Sequence, residues 1–103
     1  MTSLTAQDLG IPLGPRATVV QFSSTFCQPC RMTRIVVDRA VATATDVASV
    51  DLDVADHLEL GERLGIVATP TVLVLDAAGE VRHRASGVPT LAQVRAVLAS
   101  VTG

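Results

Sequence analysis

Apolar positions run continuously through some stretches of this chain and recur every three or four residues in others, and the succession of these two patterns predicts the order of elements. Residues 17–22 (Ala-Thr-Val-Val-Gln-Phe) are largely β-branched and predict a buried strand that ends in the polar Ser23, Ser24 and Thr25. From 29 to about 44, Met32, Ile35, Val36, Ala40 and Val41 recur at helical spacing, with Arg34, Asp38 and Thr45 off that face. This predicts a helix packed on the sheet. Residues 47–53 read as a second strand, which makes a strand, helix, strand unit expected to be parallel and right-handed. Asp56 can cap a second helix over roughly 56–64, which Gly65 ends. Residues 66–70 are followed by a continuous apolar strand over 71–75, the third, and the turn Asp76-Ala77-Ala78-Gly79-Glu80 leads into a fourth over 81–85, giving an antiparallel hairpin. Thr90 can cap a last helix whose Leu91, Val94, Val97, Leu98 and Val101 share one face. Ahead of all this, residues 2–16 allow only a short helix at 5–9, broken by Gly10, Pro12, Gly14 and Pro15, and read as an N-terminal cover.

A length of 103 residues suits one domain, 1–103, with 1–16 as the cover and 17–101 as the core. Apolar residues make up 49% of the chain and aromatic ones only 2%, so the interior must be built from Val, Leu, Ile and Ala, as in a sheet covered by helices. The net charge is −2 and the Arg residues are scattered, which argues against a nucleic-acid partner. The start Met1-Thr2-Ser3-Leu4-Thr5 has no basic region leading into an apolar one, and no run is long enough to cross a bilayer. A cytoplasmic protein without a membrane partner is the expectation.

The chemistry concentrates in the chain's two cysteines, set together as Cys27-Gln28-Pro29-Cys30 between the first strand and the first long helix. In a reducing compartment such a pair is more often catalytic or metal-binding than a structural staple. A cysteine at the first turn of a helix faces unpaired backbone N–H groups and the positive end of the macrodipole, which favour the thiolate, the species that attacks disulfides. Arg31 and Arg34 are expected to add positive charge beside Cys27, and Pro29 suits a first turn that needs no N–H at that position. A structural zinc site would need four ligands, and the only histidines, His57 and His83, have no ligand-like spacing. No metal is therefore expected, and both histidines read as solvated surface residues. Asp51 and Asp53 read as strand-end carboxylates facing solvent, with no motif for paired-carboxylate hydrolysis around them.

The element order, with C-x-P-C after the first strand and Thr69-Pro70-Thr71 before the hairpin, resembles the thioredoxin family over roughly residues 17–101. The stretch from Phe22 through Phe26-Cys27-Gln28-Pro29-Cys30-Arg31-Met32 is similar to the family's active-site signature, Val50-Asp51-Leu52-Asp53 to its central strand, and Gly79-Glu80 with Gly87 to its later turns. The resemblance implies the α/β thioredoxin fold, a mixed sheet flanked by helices, with four strands or at most five, because the N-terminal strand and long helix of ordinary thioredoxins are shortened or absent. It also implies a redox-active disulfide, with Cys27 as the nucleophile and Cys30 as the resolving thiol. Pro70 would be cis and packed against the pair, and Phe26, Thr69, Pro70, Gly87 and Val88 would line the substrate groove, with the Thr69 backbone pairing with an extended peptide.

Departures from the family pattern cluster at the same site. Phe26 and Gln28 stand where the usual thioredoxin has Trp and Gly, which bears on substrate fit and redox poise. Gln21 occupies the position of the buried Asp that assists the second cysteine, and Ser49 that of its Lys partner, so both halves of an ion pair are replaced together. Gln21 has two readings, a side chain in a polar pocket or, with Arg31, part of the activating surroundings; Gln cannot accept a proton, so a slower, retuned site is expected. The implied function is that of an oxidoreductase reducing protein disulfides, a monomer with no bound cofactor, supplied by an external donor such as a thioredoxin reductase. That would place it in electron transport and cell redox homeostasis. The alternative is a thioredoxin-like binding or redox-switch module that reacts once without turnover.

Overall fold

The computed structural model describes residues 2–103; Met1, the first residue of the cover segment, lies outside them. In chain order the elements are α1 (Ala6–Leu9), β1 (Ala17–Ser23), α2 (Gln28–Ala42), β2 (Val47–Asp53), a 3-10 turn (Val54–Asp56), α3 (Leu58–Arg63), β3 (Thr71–Asp76), β4 (Val81–Ser86) and α4 (Leu91–Thr102). The strands form one four-stranded sheet in the order β2-β1-β3-β4. β1 is parallel to β2, with Gln21 opposite Asp51, and antiparallel to β3, with Gln21 opposite Val72; β4 completes the hairpin.

All seven residues of β1 are buried because both faces of this central strand are covered. The strand's period of two divides them. Val20 and Phe22 join Leu4, Leu9, Leu52, Leu60, Leu64, Leu73 and Leu75 under α1 and α3. Ala17 and Val19 join Val37, Ala40, Val72, Val74, Val94 and Leu98 under α2 and α4. Gln21 and Ser23 share the parity of Ala17 and Val19 and so lie on the α2 side, at the strand end from which the chain enters that helix.

Two helix expectations need correction. The buried stripe of α2 is Cys30, Thr33, Val37 and Ala40, at spacings of three and four, while Met32 and Ile35 are 47% and 54% exposed. Thr33 can occupy the inner face because its hydroxyl donates to the Pro29 carbonyl at 2.9 Å and so brings no unpaired polar atom into the core. Val36 and Val41 keep partial contact with the core, as the spacing predicts. Nor does Asp56 start α3. Asp53 accepts from the Ala55 N–H at 2.9 Å and caps the 3-10 turn, and α3 begins at Leu58 behind a His57 without a side-chain cap bond. Gly65 ends that helix at φ 64°, and Arg84 on β4 donates to the carbonyls of Leu64 and Gly65 there.

The cover segment adds one bridge to the sheet rather than a fifth strand: Ser3 pairs with Glu80. Around it the Leu4 N–H donates to the Gly79 carbonyl and the Val81 N–H to the Thr2 carbonyl, each at 2.8 Å. Gly79 is required twice over, by its φ of 85° and by the Leu4 carbonyl oxygen, which a Cβ would meet at 2.2 Å. α1 carries a capping box between Thr5 and Asp8, and Asp8 also accepts from Arg63 at 2.9 Å.

Two carboxyls record this folding in their acidity. The Arg63 guanidinium and the Thr5 N–H hold Asp8 below its ordinary 3.8, and the N–H groups of Glu80 and Ala78, with Arg82, do the same for Asp76 in the β3–β4 turn. A carboxyl with a lowered folded-state pKa stabilises the fold above pH 3.8, and that contribution is lost as the pH falls through the lower folded value. Unfolding free energy from denaturant titrations is therefore expected to decline below about pH 4, and to decline less steeply in the Asp8→Asn/Asp76→Asn variant. Equal slopes would remove this account.

Candidate active site

β1 delivers the chain to the sheet's end, and residues 24–26 turn it into α2. Phe26 takes a left-handed conformation at φ 56° and stands 97% exposed immediately ahead of Cys27. Cys27 follows as the N-cap of α2. Its Sγ accepts from the Cys30 N–H at 3.1 Å, the interaction a capping side chain makes, and Pro29 occupies the first turn. Cys27 and Cys30 are joined as a disulfide with Cα atoms 5.2 Å apart. The two sulfurs are unequal: Cys27 is half-buried at the surface, whereas Cys30 is 2% exposed on the inner stripe of α2.

The loop ahead of β3 reaches the same end of the sheet, since Thr71 at the start of β3 lies opposite Phe22 near the end of β1. The Thr69–Pro70 peptide is cis, and Pro70 is buried. The Ser24 and Thr69 hydroxyls meet at 2.8 Å, which ties that loop to the turn before α2, and the Gly87 N–H donates to the Pro70 carbonyl at 3.0 Å. Phe26, Thr69, Pro70, Gly87 and Val88 thus lie on loops at the end of the sheet that carries the cysteines. Val67, fully exposed ahead of Thr69, was not singled out by the sequence, in which it looks like part of a buried run. A concavity of about 530 Å³ runs along β4 and α4 and includes Gly87 and Val88 but neither cysteine.

Arg31 turns its guanidinium onto the Gln28 side-chain oxygen, with Nε at 3.0 Å, and so remains over the first turn of α2. Arg34 pairs with Asp51 on β2, Nε to Oδ2 at 2.8 Å. Asp51 is correspondingly more than a solvent-facing strand end, because its Oδ1 also accepts from the Ser23 hydroxyl at 2.5 Å. Gln21 lies behind the disulfide, where its Nε2 donates to Ser23 Oγ at 3.0 Å and to the Cys30 carbonyl at 2.8 Å. The signal for this chain of contacts was present in the parity of β1 and β2, which puts Gln21, Ser23 and Asp51 on the α2 side.

Of the two histidines, His83 is exposed on β4 and His57 is half-buried with Nδ1 3.0 Å from the Asp53 carbonyl. Among the described residues no three His, Cys, Asp or Glu side chains come together as a metal site, and no helix is long and apolar enough to cross a membrane.

The family profile described as Thioredoxin matches residues 12–100. Thioredoxin-2 of Saccharomyces cerevisiae is 25% identical over 81 residues, which span 79% of this chain and 78% of the yeast protein. Among solved structures, a mutant thioredoxin from Halobacterium salinarum superposes with a TM-score of 0.76 at 25% identity, covering 85% of this chain and 76% of its own. A thioredoxin from Nicotiana alata superposes with a TM-score of 0.75 at 28% identity, covering 86% and 76% respectively.

Proposed function

We propose, on the premise that this chain belongs to the thioredoxin family and has its fold, that it is a thiol–disulfide oxidoreductase whose Cys27 and Cys30 reduce disulfides in other proteins. The observation that carries this reading is the inequality of the pair. An accessible sulfur caps α2 and faces an N–H group, and a buried sulfur bonded to it stands one turn behind.

In the reduced protein the Cys27 thiolate attacks one sulfur of the substrate disulfide, forming a mixed disulfide and releasing the other substrate sulfur as a thiolate. The Cys30 thiolate then attacks Cys27 Sγ, which closes the Cys27–Cys30 disulfide and releases the second substrate sulfur. Two electrons pass from the dithiol to the substrate. An external donor, a thioredoxin reductase or another thiol donor, returns them. Backbone N–H groups at the start of α2 and the nearby Arg31 favour the Cys27 thiolate. Phe26 and Val88 offer apolar surface to the substrate, while Thr69 beside Pro70 offers extended backbone and Gly87 a side-chain-free approach. We read residues 1–103 as one domain acting as a monomer in the cytoplasm.

The alternative is a redox switch that reacts once. With excess external dithiol and a disulfide-bonded protein, the chain is expected to reduce many equivalents of disulfide per molecule. Arrest at one equivalent would favour the switch. The pair's reduction potential, read by alkylation and mass because the chain has no Trp, is expected near about −270 mV, and a value of about −180 to −120 mV would instead indicate an oxidant or isomerase.

A further inference from the structure

We infer that Asp51 is a positioning residue for the dithiol, acting on Cys30 through Ser23 and Gln21. The inference rests on the redox reading of Cys27 and Cys30.

Hydrogen-bond polarity carries it. A carboxylate only accepts, and both of its oxygens here meet donors: Arg34 at Oδ2 and the Ser23 hydroxyl at Oδ1. Ser23 has one proton, which goes to Asp51, so its oxygen can only accept from Gln21. That requirement turns the Gln21 carboxamide so that nitrogen, not oxygen, faces Ser23. The same nitrogen's second N–H reaches the Cys30 carbonyl at 2.8 Å. An acceptor at position 51 and the acceptor carbonyl of Cys30 thus require the same direction for every bond between them, from Asp51 on β2 across β1 to the first turn of α2. Gln21 and Ser23 are 2% and 5% exposed, so water is poorly placed to replace a lost partner. A firmly held Cys30 keeps its sulfur in line with Cys27 Sγ, and such orientation sets the effective concentration of one sulfur at the other.

Asparagine at position 51 cannot satisfy this arrangement, because it offers one acceptor to two donors. If its oxygen serves Arg34, its N–H group faces Ser23. The Ser23 oxygen can accept from both N–H groups that then face it, but its own proton has lost its acceptor, and a buried donor is left unpaired beside the side chain that holds Cys30.

The test equilibrates the protein with reduced and oxidised glutathione, so that two glutathione thiols and the Cys27–Cys30 disulfide exchange for a dithiol and oxidised glutathione. The effective concentration of the pair is then read by alkylation and mass. Asp51→Asn is expected to lower it about tenfold, the scale of one lost buried hydrogen bond. Arg34→Gln alone should change it by less than about twofold, as for an exposed ion pair. The double variant Arg34→Gln/Asp51→Asn should return close to the parent, because without the guanidinium the Asn oxygen is free to accept from Ser23. Ser23→Ala, which keeps the ion pair, should match the loss in Asp51→Asn and add nothing to it; it carries the test if Asp51→Asn does not fold by circular dichroism. An unchanged Asp51→Asn, or a double variant that stays low, would overturn the inference while leaving the redox reading intact. A parent protein that never closes the disulfide would remove both.

Discussion

Cys30→Ser is expected to stop turnover after the first exchange and leave the protein covalently bound to its substrate. Cys27 is the accessible sulfur and keeps its place as the cap of α2, so the attack on a substrate disulfide survives the substitution. The hydroxyl at position 30 cannot displace the substrate from Cys27 Sγ, and release then depends on a thiol arriving from solution. Exchanging an oriented intramolecular step for a bimolecular one at millimolar thiol should slow release on the order of 10³-fold or more. Intact mass under non-reducing conditions should show one substrate adduct per chain, absent after treatment with excess dithiol. Cys27→Ser should give neither adduct nor turnover. If Cys30→Ser turned over at the parent's rate, Cys30 would have no resolving role. An adduct formed through position 30 in the Cys27→Ser variant would reverse the two assignments.

Phe22→Ala is expected to give the largest loss of stability. Phe22 is fully buried where β1 meets the leucine-rich cluster, an aromatic ring among the aliphatic side chains of the described residues there. Truncating it removes the transfer free energy of the ring and leaves a cavity, together about 3–5 kcal/mol. For a domain whose whole stability is about 5–15 kcal/mol, that should lower the thermal midpoint by more than about 10 °C or leave the chain unfolded. Phe26→Ala supplies the internal control, since the chain's other Phe is almost wholly in solvent and its truncation should cost less than about 0.5 kcal/mol. Circular dichroism measures both. A Phe22→Ala midpoint within about 2 °C of the parent would mean that the cluster repacks without a cavity.

The order of elements and the hairpin could be read from the sequence because they depend on local pattern. β2 spans 47–53 as expected, and α4 starts at the Thr90 cap with a capping box to Gln93. The rotation of α2 about its own axis could not be read that way. Met32 and Ile35 are as apolar as any residue on the helix, and nothing in their identity says that the sheet will be met by Cys30 and Thr33 instead. Helix phase is decided by where the turn before Cys27 delivers the chain, and Thr33 is admitted by a bond to its own helix. The α3 start failed for a related reason: Asp53 and Asp56 are both competent caps, and the one already placed by β2 took the first turn. At the site, the C-x-P-C and Thr-Pro pairs were visible as motifs. Strand parity puts Gln21, Ser23 and Asp51 on one face, but which of them meet depends on the register between two strands 30 positions apart, and no single stretch of sequence contains that register.

β1 completes its pairing late. Ala17 faces Val47 on one side and Asp76 on the other, so a chain emerging from the ribosome can assemble β1, α2 and β2 well before β3 exists to cover the second edge. Until then the strand that ends up buried along its whole length offers an open row of N–H and C=O groups, a template for pairing with another chain. Both cysteines have already emerged at that stage, and the loop that Thr69 ties to the turn ahead of them has not. Stalled or truncated products of this chain would therefore carry the reactive thiols and the adhesive edge together, and quality control in the cell would meet them as one hazard.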